Sequence, residues 1–414
     1  MKTTIFILLS HLMLFLFLGC NQQSSQSESS KANIYPKGTF GYDLQFLEKY
    51  FKDLIILTHQ DARVLISPQF QGRVLTSTAE GREGISFGWL NYELIASERV
   101  QPHIHAIGGE ERFWLGPEGG QFSLFFQPDS AFTIENWQVP KEIDTEPFHL
   151  LENSEREVRF EKVMQLTNYS GTRFNLRVNR TIRLLDRGNV RSLLAMNLPE
   201  GVNMVAFESE NKLTNTGENT WNEQSGMLSV WILSMLNSSP HTMVIVPFRQ
   251  GNGKELGRVV TDDYFGKVPA DRLILQDSVL LFKADGQLRG KIGLSPQRAK
   301  PVAGSYDAGN KVLTIIQYSL PEGKKAYVNS LWEIQQEPFE GDVLNAYNDG
   351  PLEDGSQLGP FYELESSSPA ANLQPGASLT HIHRTYHFSG SEKQLSKIAQ
   401  SVLGVDLQRV KRAY

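Results

Sequence analysis

The sequence predicts an all-β protein, a large two-sheet β-sandwich with short helices near its N- and C-termini. Between about residues 54 and 390 the chain is a series of short runs rich in β-branched and aromatic residues. Gly, Asn, Asp and Pro separate these runs at the spacing expected of turns between strands. Roughly 350 residues of this kind exceed one immunoglobulin-sized sandwich. We see no internal repeat of the length that a propeller would show, so a propeller is the weaker alternative.

Strands and helices can be assigned by pattern. Two segments predict helices: the apolar positions from Tyr42 to Leu54 recur at three- and four-residue steps, and Ser391 with Gln394 forms a capping box before a second apolar pattern. Gly404 follows as a stop, so the C-terminal helix is expected at about 391–403. The runs that best predict strands are ARVLISPQF, GRVLTST, GQFSLFFQ, REVRFEKVMQLTN, TRFNLRVNRTIRLLD, GMLSVWILSML and KVLTIIQYSL.

The N-terminus has the pattern of an export signal. Lys2 precedes an apolar run over residues 5–18, which is shorter than the ~20 residues of a membrane-spanning helix. The run ends in Gly19 and Cys20, where a lipobox would place its cysteine, and this predicts a signal peptide over residues 1–19 and a lipid anchor on Cys20. An ordinary cleaved signal with a chance cysteine is the alternative.

The rest of the chain is expected to be one folded unit. Residues 20–37 are polar and Ser/Gln-rich, which is typical of a flexible tether, and a single domain is predicted over residues 38–414. The composition is 40% hydrophobic and 21% charged, as in an ordinary globular protein. The formal net charge of -6 and the lack of a basic run interleaved with aromatics argue against nucleic acid as a partner. The single cysteine excludes an internal disulfide.

A first group of candidate site residues lies between His103 and Phe126, in HIHAIGGEERFWLGPEGGQFSLFF. Glycines let a backbone approach a ligand closely, and a tryptophan supplies an apolar face for a sugar ring. Arginine and glutamate side chains hydrogen-bond hydroxyl groups. This chemistry indicates a sugar-binding cleft, although a glycine-rich turn with a core tryptophan and solvated charges is an equally reasonable interpretation. The residues concerned are His103, His105, Glu110, Glu111, Arg112, Trp114 and Glu118.

A second group lies near the C-terminus, in YNDGP, GPFYELESSSP and LQPGASLTHIHRTYHF. Strand alternation puts Glu363 and Glu365 on one face of the FYELES strand. Two carboxylates that share a site can have separated pKa values, and one can then act as an acid or base near neutral pH. Two solvated glutamates on an exposed face are the simpler alternative.

The order of motifs in this second group resembles the closing signature of the galactose-mutarotase (aldose 1-epimerase) superfamily. There, a Leu-Glu-Thr-Gln strand with the catalytic base precedes a proline, a Leu-x-Pro-Gly-Glu turn and a last strand that ends in Tyr-x-Phe. Here LES is followed by Pro369, LQPG and RTYHF. The resemblance implies the large supersandwich fold of that superfamily and puts Glu365 in the place of the base. Upstream, VLISPQFQGRVLTST is similar to its early strands.

The same resemblance implies a carbohydrate ligand and a partner for Glu365. HAIGGEERFW is similar to the Leu-His-Gly-Gly segment of the superfamily, so His105 takes the place of a sugar-binding histidine. The strand that carries the general acid in mutarotases has no match, because Asn168 and Asn215 stand in segments that lack the histidine. An acid must then come from elsewhere, with His103, His105 and His383 available. We take Glu365 and His105 as the catalytic pair and His383 and Glu363 as substrate-binding residues.

Three functions remain open, and no cofactor is expected for the first two. One is an epimerase-like or other carbohydrate-active enzyme. Another is a glycan-binding lipoprotein without activity, anchored in the bacterial cell envelope and facing the periplasm or the cell exterior. The last is a metal-dependent protein, because His103 and His105, and His381 and His383 with His387 further on, are paired at strand spacing.

Overall fold

The computed structural model describes residues 34–352 and 354–413. The predicted signal peptide, the predicted lipidation site at Cys20 and most of the predicted tether lie outside these residues. In the part that is described, none of the helices has the length and apolar character needed to cross a membrane.

Strands dominate the described residues. The helices are α1 (Phe40–Leu47), α2 (Tyr92–Ser97), α3 (Lys141–Asp144), α4 (Arg187–Leu193), α5 (Gly253–Leu256), α6 (Glu392–Val402) and α7 (Leu407–Lys411), with a 3-10 helix at Gly81–Glu83. The strands are β1 (Ile55–His59), β2 (Ala62–Ser67), β3 (Arg73–Thr78), β4 (Arg112–Gly116), β5 (His149–Asn153), β6 (Glu157–Thr167), β7 (Arg173–Leu184), β8 (Asn203–Asn215), β9 (Ser229–Leu233), β10 (Leu236–Asn237), β11 (Thr242–Pro247), β12 (Leu273–Gln276), β13 (Val279–Lys283), β14 (Gly290–Leu294), β15 (Val302–Asp307), β16 (Val312–Tyr318), β17 (Leu344–Asn348), β18 (Phe361–Ser367) and β19 (Ser378–Ser389).

These strands form two packed layers. A ten-stranded antiparallel sheet, in the order β12-β13-β11-β15-β16-β19-β8-β7-β6-β5, makes one layer. The other contains a six-stranded sheet, β14-β17-β18-β9-β4 with β10 beside β18, and the three-stranded sheet β1-β2-β3. A bridge between Val74 and Glu111 links these two sheets, and β2 and β3 pack against β8 of the opposite layer. The predicted large β-sandwich is therefore confirmed.

Apolar side chains fill the space between the layers and also cover the outside of the ten-stranded sheet. Phe113 of β4 and Phe207 of β8 belong to the core between the layers. On the outer face, Tyr386 and Phe388 of β19 pack under Ile398 of α6. Neighbouring side chains of a strand point to opposite faces. One face of β19 therefore meets the core between the layers, and the other meets the core on the outside of the sheet.

The two terminal helices are present, and the first is shorter than its apolar pattern. Helix α1 ends at Leu47, seven residues before Leu54 where the three- and four-residue pattern ends. The apolar residues after the helix still pack against the cluster that contains α1, but they do so from a turn, and Asp53 has a left-handed backbone with φ of 56° just before β1. Ser391 caps α6 with the capping box that the sequence indicates.

One predicted strand is wrong. The run GQFSLFFQ forms a loop, although Leu124, Phe125 and Phe126 are all buried in the core between the layers. Its backbone groups are satisfied locally, since Leu124 N donates to Pro117 O and Phe125 N donates to Ser123 Oγ. An apolar run without clear alternation does not distinguish a strand from a buried loop.

A fully buried ion pair joins the two layers. Arg180 of β7 donates to the Glu111 carboxylate at 2.7 Å and to the Asn211 side chain at 2.6 Å. Arg180 and Glu111 are both 0% exposed. Burial lowers the pKa of Arg180 and raises the pKa of Glu111, and each partner opposes the shift of the other. Removing one partner would leave an uncompensated buried charge.

We therefore expect Arg180→Ala to lower the free energy of unfolding by about 3–5 kcal/mol, measured by urea denaturation. The double variant Arg180→Met/Glu111→Leu should lose less than this, because no buried charge is left alone. Arg159→Ala is the matched control, since its pair with Glu152 is half-exposed and should change stability by less than about 1 kcal/mol. A loss of the same small size in Arg180→Ala would contradict the structural role of the buried pair.

Candidate functional site

The outer face of the six-stranded sheet carries a set of polar and aromatic side chains that strand register brings together. Directly paired residues of antiparallel strands share a face, and Trp114 pairs with Trp231 while Asn345 pairs with Glu365. Side chains on this face point away from the ten-stranded sheet. We call this set the site face, and it consists of Arg112, Trp114, Trp231, Lys291, Asn345, Tyr347, Glu363 and Glu365.

Glu365 is at the centre of the site face and is 0% exposed. Its Oε2 accepts hydrogen bonds from the Trp231 indole N–H at 2.9 Å and from Lys291 Nζ at 3.0 Å. Its Oε1 has no partner among the described residues. A buried carboxylate oxygen without a donor is costly, and such a group in a native protein calls for an explanation such as a ligand, a water or a catalytic role.

Lys291 lies between two carboxylates. Burial lowers its pKa, but the charges of Glu365 and Glu118 outweigh burial and the pKa is raised. The ammonium group also lies 4.9 Å from the ring centre of Trp231 and 5.6 Å from that of Tyr264. Lys291 is therefore positively charged and stabilises the ionised form of the neighbouring carboxylates.

Glu118 lines the same cavity as Lys291, and the charges of the two side chains interact. Burial raises the pKa of Glu118, Lys291 opposes that rise, Glu365 adds to it, and the nearby indoles of Trp137 and Trp332 oppose it. Glu118 and Glu365 thus share one cation in different surroundings. Environments that separate the pKa values of two carboxylates are how one becomes a proton donor and the other a base.

A second ion pair lies beside the first. Arg112 donates to Glu363 at 2.5 Å, and the guanidinium lies 4.6 Å from the ring centre of Trp114. Burial raises the pKa of Glu363 to about 8; Arg112 opposes this rise and Glu365 adds to it. Three carboxylates, Glu363 and Glu365 in this layer and Glu118 in the cavity wall, thus interact with two cations, Arg112 and Lys291. This surplus favours retention of a proton by one carboxylate near neutral pH.

A cavity of about 240 Å³ opens above this layer. Its walls include charged, amide and hydroxyl groups together with indole and phenol rings. This volume is below the roughly 300–1,000 Å³ of protein sites for drug-sized ligands, and it suits a ligand of the size of one sugar ring. The residues that line the cavity and matter below are Glu118, Trp231, Tyr264, Lys291, Trp332, Asp342, Asn345 and Ser367.

Hydrogen bonds hold the wall formed by Tyr264, Asp342 and Asn345. The Tyr264 hydroxyl donates to Asp342 Oδ2 at 2.7 Å and accepts from Asn345 Nδ2 at 3.2 Å. Burial raises the pKa of both Tyr264 and Asp342. This wall is therefore a preorganised set of donors and acceptors beside Lys291.

Five of the predicted site residues lie in this region, at different depths. Glu118 lines the cavity, whereas Arg112, Glu363 and Glu365 are buried in the layer beneath it. Trp114 is 3% exposed and packs against Trp231, 5.6 Å between ring centres. Trp231 and Trp332, which were not among the predicted site residues, are the indole rings that line the cavity.

The structure does not bring His383 to Glu365. His381 and His383 both contact the Ser366 hydroxyl at 2.8 Å, and Ser366 points from β18 towards the ten-stranded sheet. Glu365, the preceding residue, points to the opposite face. Burial lowers the pKa of His383 to about 3, so it is neutral at physiological pH and has no imidazolium proton to donate.

His103 and His105 are also apart from the cavity walls. His103 is exposed and its Nδ1 contacts the Trp137 carbonyl at 2.7 Å. The His105 ring packs 5.7 Å from Phe70, and burial lowers its pKa. No group of three or more His, Cys, Asp and Glu in the described part of the chain is arranged to hold a metal ion, so the paired-histidine metal site does not form there.

The glycine-rich segment before β4 lets two stretches of backbone pack closely against each other. Gly108 has φ of +95°, and a Cβ atom there would lie 2.1 Å from the Trp89 carbonyl oxygen. Glu110 binds His387 at 2.7 Å and Glu111 binds Arg180, so both glutamates face the space between the layers. These two glutamates are therefore engaged in contacts between the layers, whereas Arg112, Trp114 and Glu118 of the same segment lie at the site face or the cavity.

Asn168 and Asn215 hold loops in place. Asn168 accepts from Thr172 N and donates to the Ser225 carbonyl. Asn215 donates to the carbonyls of Asn219 and Leu373. Neither asparagine lines the cavity.

Lys291 is the main functional residue that sequence reasoning missed. The sequence signal is a lysine within the short run GKIGL, and the structure shows that all residues of this strand are buried. Lysine is almost never fully buried unless it is paired, so its position indicates a nearby carboxylate. The identity of that carboxylate depends on strand pairing and cannot be read from the local pattern.

The raised pKa of Glu363 predicts a pH dependence of stability. Its pKa of about 8 exceeds the ordinary value of 4.5, so between these values the folded chain holds a proton that the unfolded chain releases. Stability therefore falls as pH rises, at up to about 1.4 kcal/mol per pH unit. We expect the free energy of unfolding of wild type to decrease relative to Glu363→Gln between pH 5 and 8. Glu340→Gln, at an exposed position, is the control. Parallel pH curves for wild type and Glu363→Gln would show that Glu363 is ionised throughout.

Several solved structures are similar to this chain. One is a candidate aldose 1-epimerase from Escherichia coli K12, with 12% identity, 81% of this chain and 98% of that chain covered, and a TM-score of 0.48. Another is a galactose mutarotase-like protein from Lactobacillus casei, with 10% identity, 81% and 99% covered, and a TM-score of 0.45. A galactose mutarotase related enzyme from Lactobacillus acidophilus has 9% identity, 80% and 97% covered, and a TM-score of 0.43. Likeness at these identities concerns the fold alone.

Comparison with curated protein sequences finds no significant match. A family model described as a family of unknown function, DUF6786, matches residues 38–414. This match covers the whole predicted domain. The chain therefore belongs to the DUF6786 family, whose function is not known.

Proposed function

We propose that the chain binds a carbohydrate in the cavity above the site face and acts on it by acid–base chemistry. The observation that carries this proposal is the combination of two cavity-lining indoles, Trp231 and Trp332, with the charged groups Glu118 and Lys291. Indole rings pack against the apolar faces of sugar rings, and the charged groups with Asn345 offer donors and acceptors to hydroxyls.

In the proposed chemistry, Glu365 is the base and Glu118 the acid. Lys291 and the Trp231 N–H stabilise the ionised form of Glu365, whose Oε1 is left without a partner among the described residues. The raised pKa of Glu118 favours its protonated form. Proton transfer at an anomeric centre needs a base for the anomeric hydroxyl and an acid for the ring oxygen. Glu118 thus takes the role that the sequence analysis gave to His105.

A binding protein without activity is the second candidate, and the burial of Glu365 favours it. Glu365 is 0% exposed and lies beneath Trp231 and Lys291, while both of these groups line the cavity. A catalytic base needs hydrogen-bond reach to its substrate. A binding protein needs only the indoles and the polar wall.

The sugar-binding proposal predicts stabilisation of the domain by a ligand. We expect one sugar in a panel of monosaccharides to stabilise residues 38–414 by about 2.7 kcal/mol at one hundred times its dissociation constant, measured as a rise in melting temperature. Trp332→Ala should abolish the rise, because the ring platform is lost. Glu218→Gln is the control, as an exposed carboxylate away from the cavity lining. If no monosaccharide changes the melting temperature, the single-sugar site is wrong.

Glu365→Gln separates the enzyme from the binding protein. For an enzyme, wild type should accelerate interconversion of the anomers of the bound sugar, followed by NMR, and Glu365→Gln should bind the sugar but lose at least 100-fold in rate, the low end of what a positioned acid–base group contributes. A binding protein would stabilise with the sugar and leave the anomer exchange rate unchanged in both forms.

We also propose that the protein is exported and anchored in the bacterial cell envelope through Cys20. The support is the order of Lys2, the apolar run and the single cysteine in the sequence. Cys20→Ala should move the protein from the detergent phase to the aqueous phase in Triton X-114 partitioning and abolish incorporation of labelled fatty acid. Ser24→Ala, in the same tether, is the matched control. Equal partitioning of Cys20→Ala and wild type would contradict the anchor.

A further inference from the structure

We infer that the ligand is a neutral oligosaccharide, and that its further sugar units lie in a groove that continues from the cavity. This inference rests on the proposed function, because it extends the same site. The cavity and the groove share the side chains of Tyr264, Leu331 and Asp342, so they meet along one wall. The groove therefore begins next to the cavity.

The groove is much larger than one sugar unit requires. Its volume is about 1,290 Å³, compared with about 240 Å³ for the cavity. Space of this size beside a small cavity suits a chain whose end unit occupies the cavity and whose next units follow along the groove.

The lining of the groove indicates the kind of chain. Five cationic and six acidic side chains line it, so no charge dominates. A polyanion such as a polyuronate or a nucleic acid would need an excess of cations. Amide groups such as Asn329 and rings such as Phe339 also line the groove, and these are partners for hydroxyl groups and sugar faces. A neutral glycan fits this lining.

An unpartnered hydroxyl marks one position in the groove. Tyr327 lines the groove and is 1% exposed, and its hydroxyl has no hydrogen-bond partner among the described residues. A buried hydroxyl without a partner is unfavourable in the free protein. A sugar hydroxyl bound at this position would supply the partner.

The test is a chain-length series measured by isothermal titration calorimetry. The probes are glucose, galactose, mannose and N-acetylglucosamine and their linear oligomers of two to six units, with oligogalacturonates as charged probes. We expect the affinity for one neutral series to rise at least tenfold from one unit to four. Oligogalacturonates should gain less, because the groove has no cationic excess.

Two groove variants locate the added units. Ala326→Trp, at an exposed position in the groove, should remove the gain with chain length and leave monosaccharide affinity unchanged. Ala96→Trp, at an exposed position outside the groove, should keep the gain. Tyr327→Phe should weaken the four-unit oligosaccharide about five- to tenfold without lowering the stability of the free protein, since it removes a hydroxyl that has no partner there.

The outcomes distinguish this inference from the proposed function. Monosaccharide binding that depends on Trp332, with no gain from longer chains, would overturn the groove and leave the single-sugar site standing. A gain that persists in Ala326→Trp would place the further units elsewhere and also overturn it. A gain confined to oligogalacturonates would overturn the neutral-chain assignment. No binding by any probe would remove both proposals.

Discussion

Strand β18 determines the chemistry of the molecule because its two faces meet different surroundings. Ser366 points inward and contacts two histidines of the ten-stranded sheet, whereas Glu365, one residue earlier, points outward to Lys291 and Trp231. Alternation by one residue separates these two environments. A shift of one position in the pairing of β18 with β17 would exchange them. The register is therefore the constraint on which the site depends.

Charge is buried on both sides of this strand, and it is compensated in different ways. Between the layers, Arg180 and Glu111 form a pair of one cation and one anion, with Asn211 as a further acceptor. At the site, Glu363 and Glu365 of the site face and Glu118 of the cavity wall lie near two cations, Arg112 and Lys291. The first arrangement is balanced and suits a structural role. The second has a surplus acidic group, which is the condition under which a proton can be held near neutral pH and given up.

The cavity and the groove define where a ligand would lie relative to these charged groups. The cavity lies over the Lys291 and Glu365 pair, and the groove leads away from it along Tyr264 and Asp342. Glu365 itself is covered, so access to its free oxygen requires movement of a side chain above it. Whether the chain acts on a sugar or only binds one depends on that access, and the anomer-exchange measurement addresses it directly.

The sequence by itself determined the class of fold and showed which side chains share one face of a strand. Strand-forming runs, turn residues and the capping box at Ser391 are local signals, and they predicted a large β-sandwich with short terminal helices. Alternation within one strand also placed Glu363 and Glu365 on a common face.

The tertiary structure decided which residues meet there. Lys291, Trp231 and Glu118 come from distant parts of the chain, and only strand pairing and loop packing bring them to Glu365. His381, His383 and His387 were paired by their local spacing, yet the orientation of β19 directs them between the layers. Local patterns give the face of a strand, but sheet order and register are set by contacts between distant segments, and no short stretch of sequence contains them.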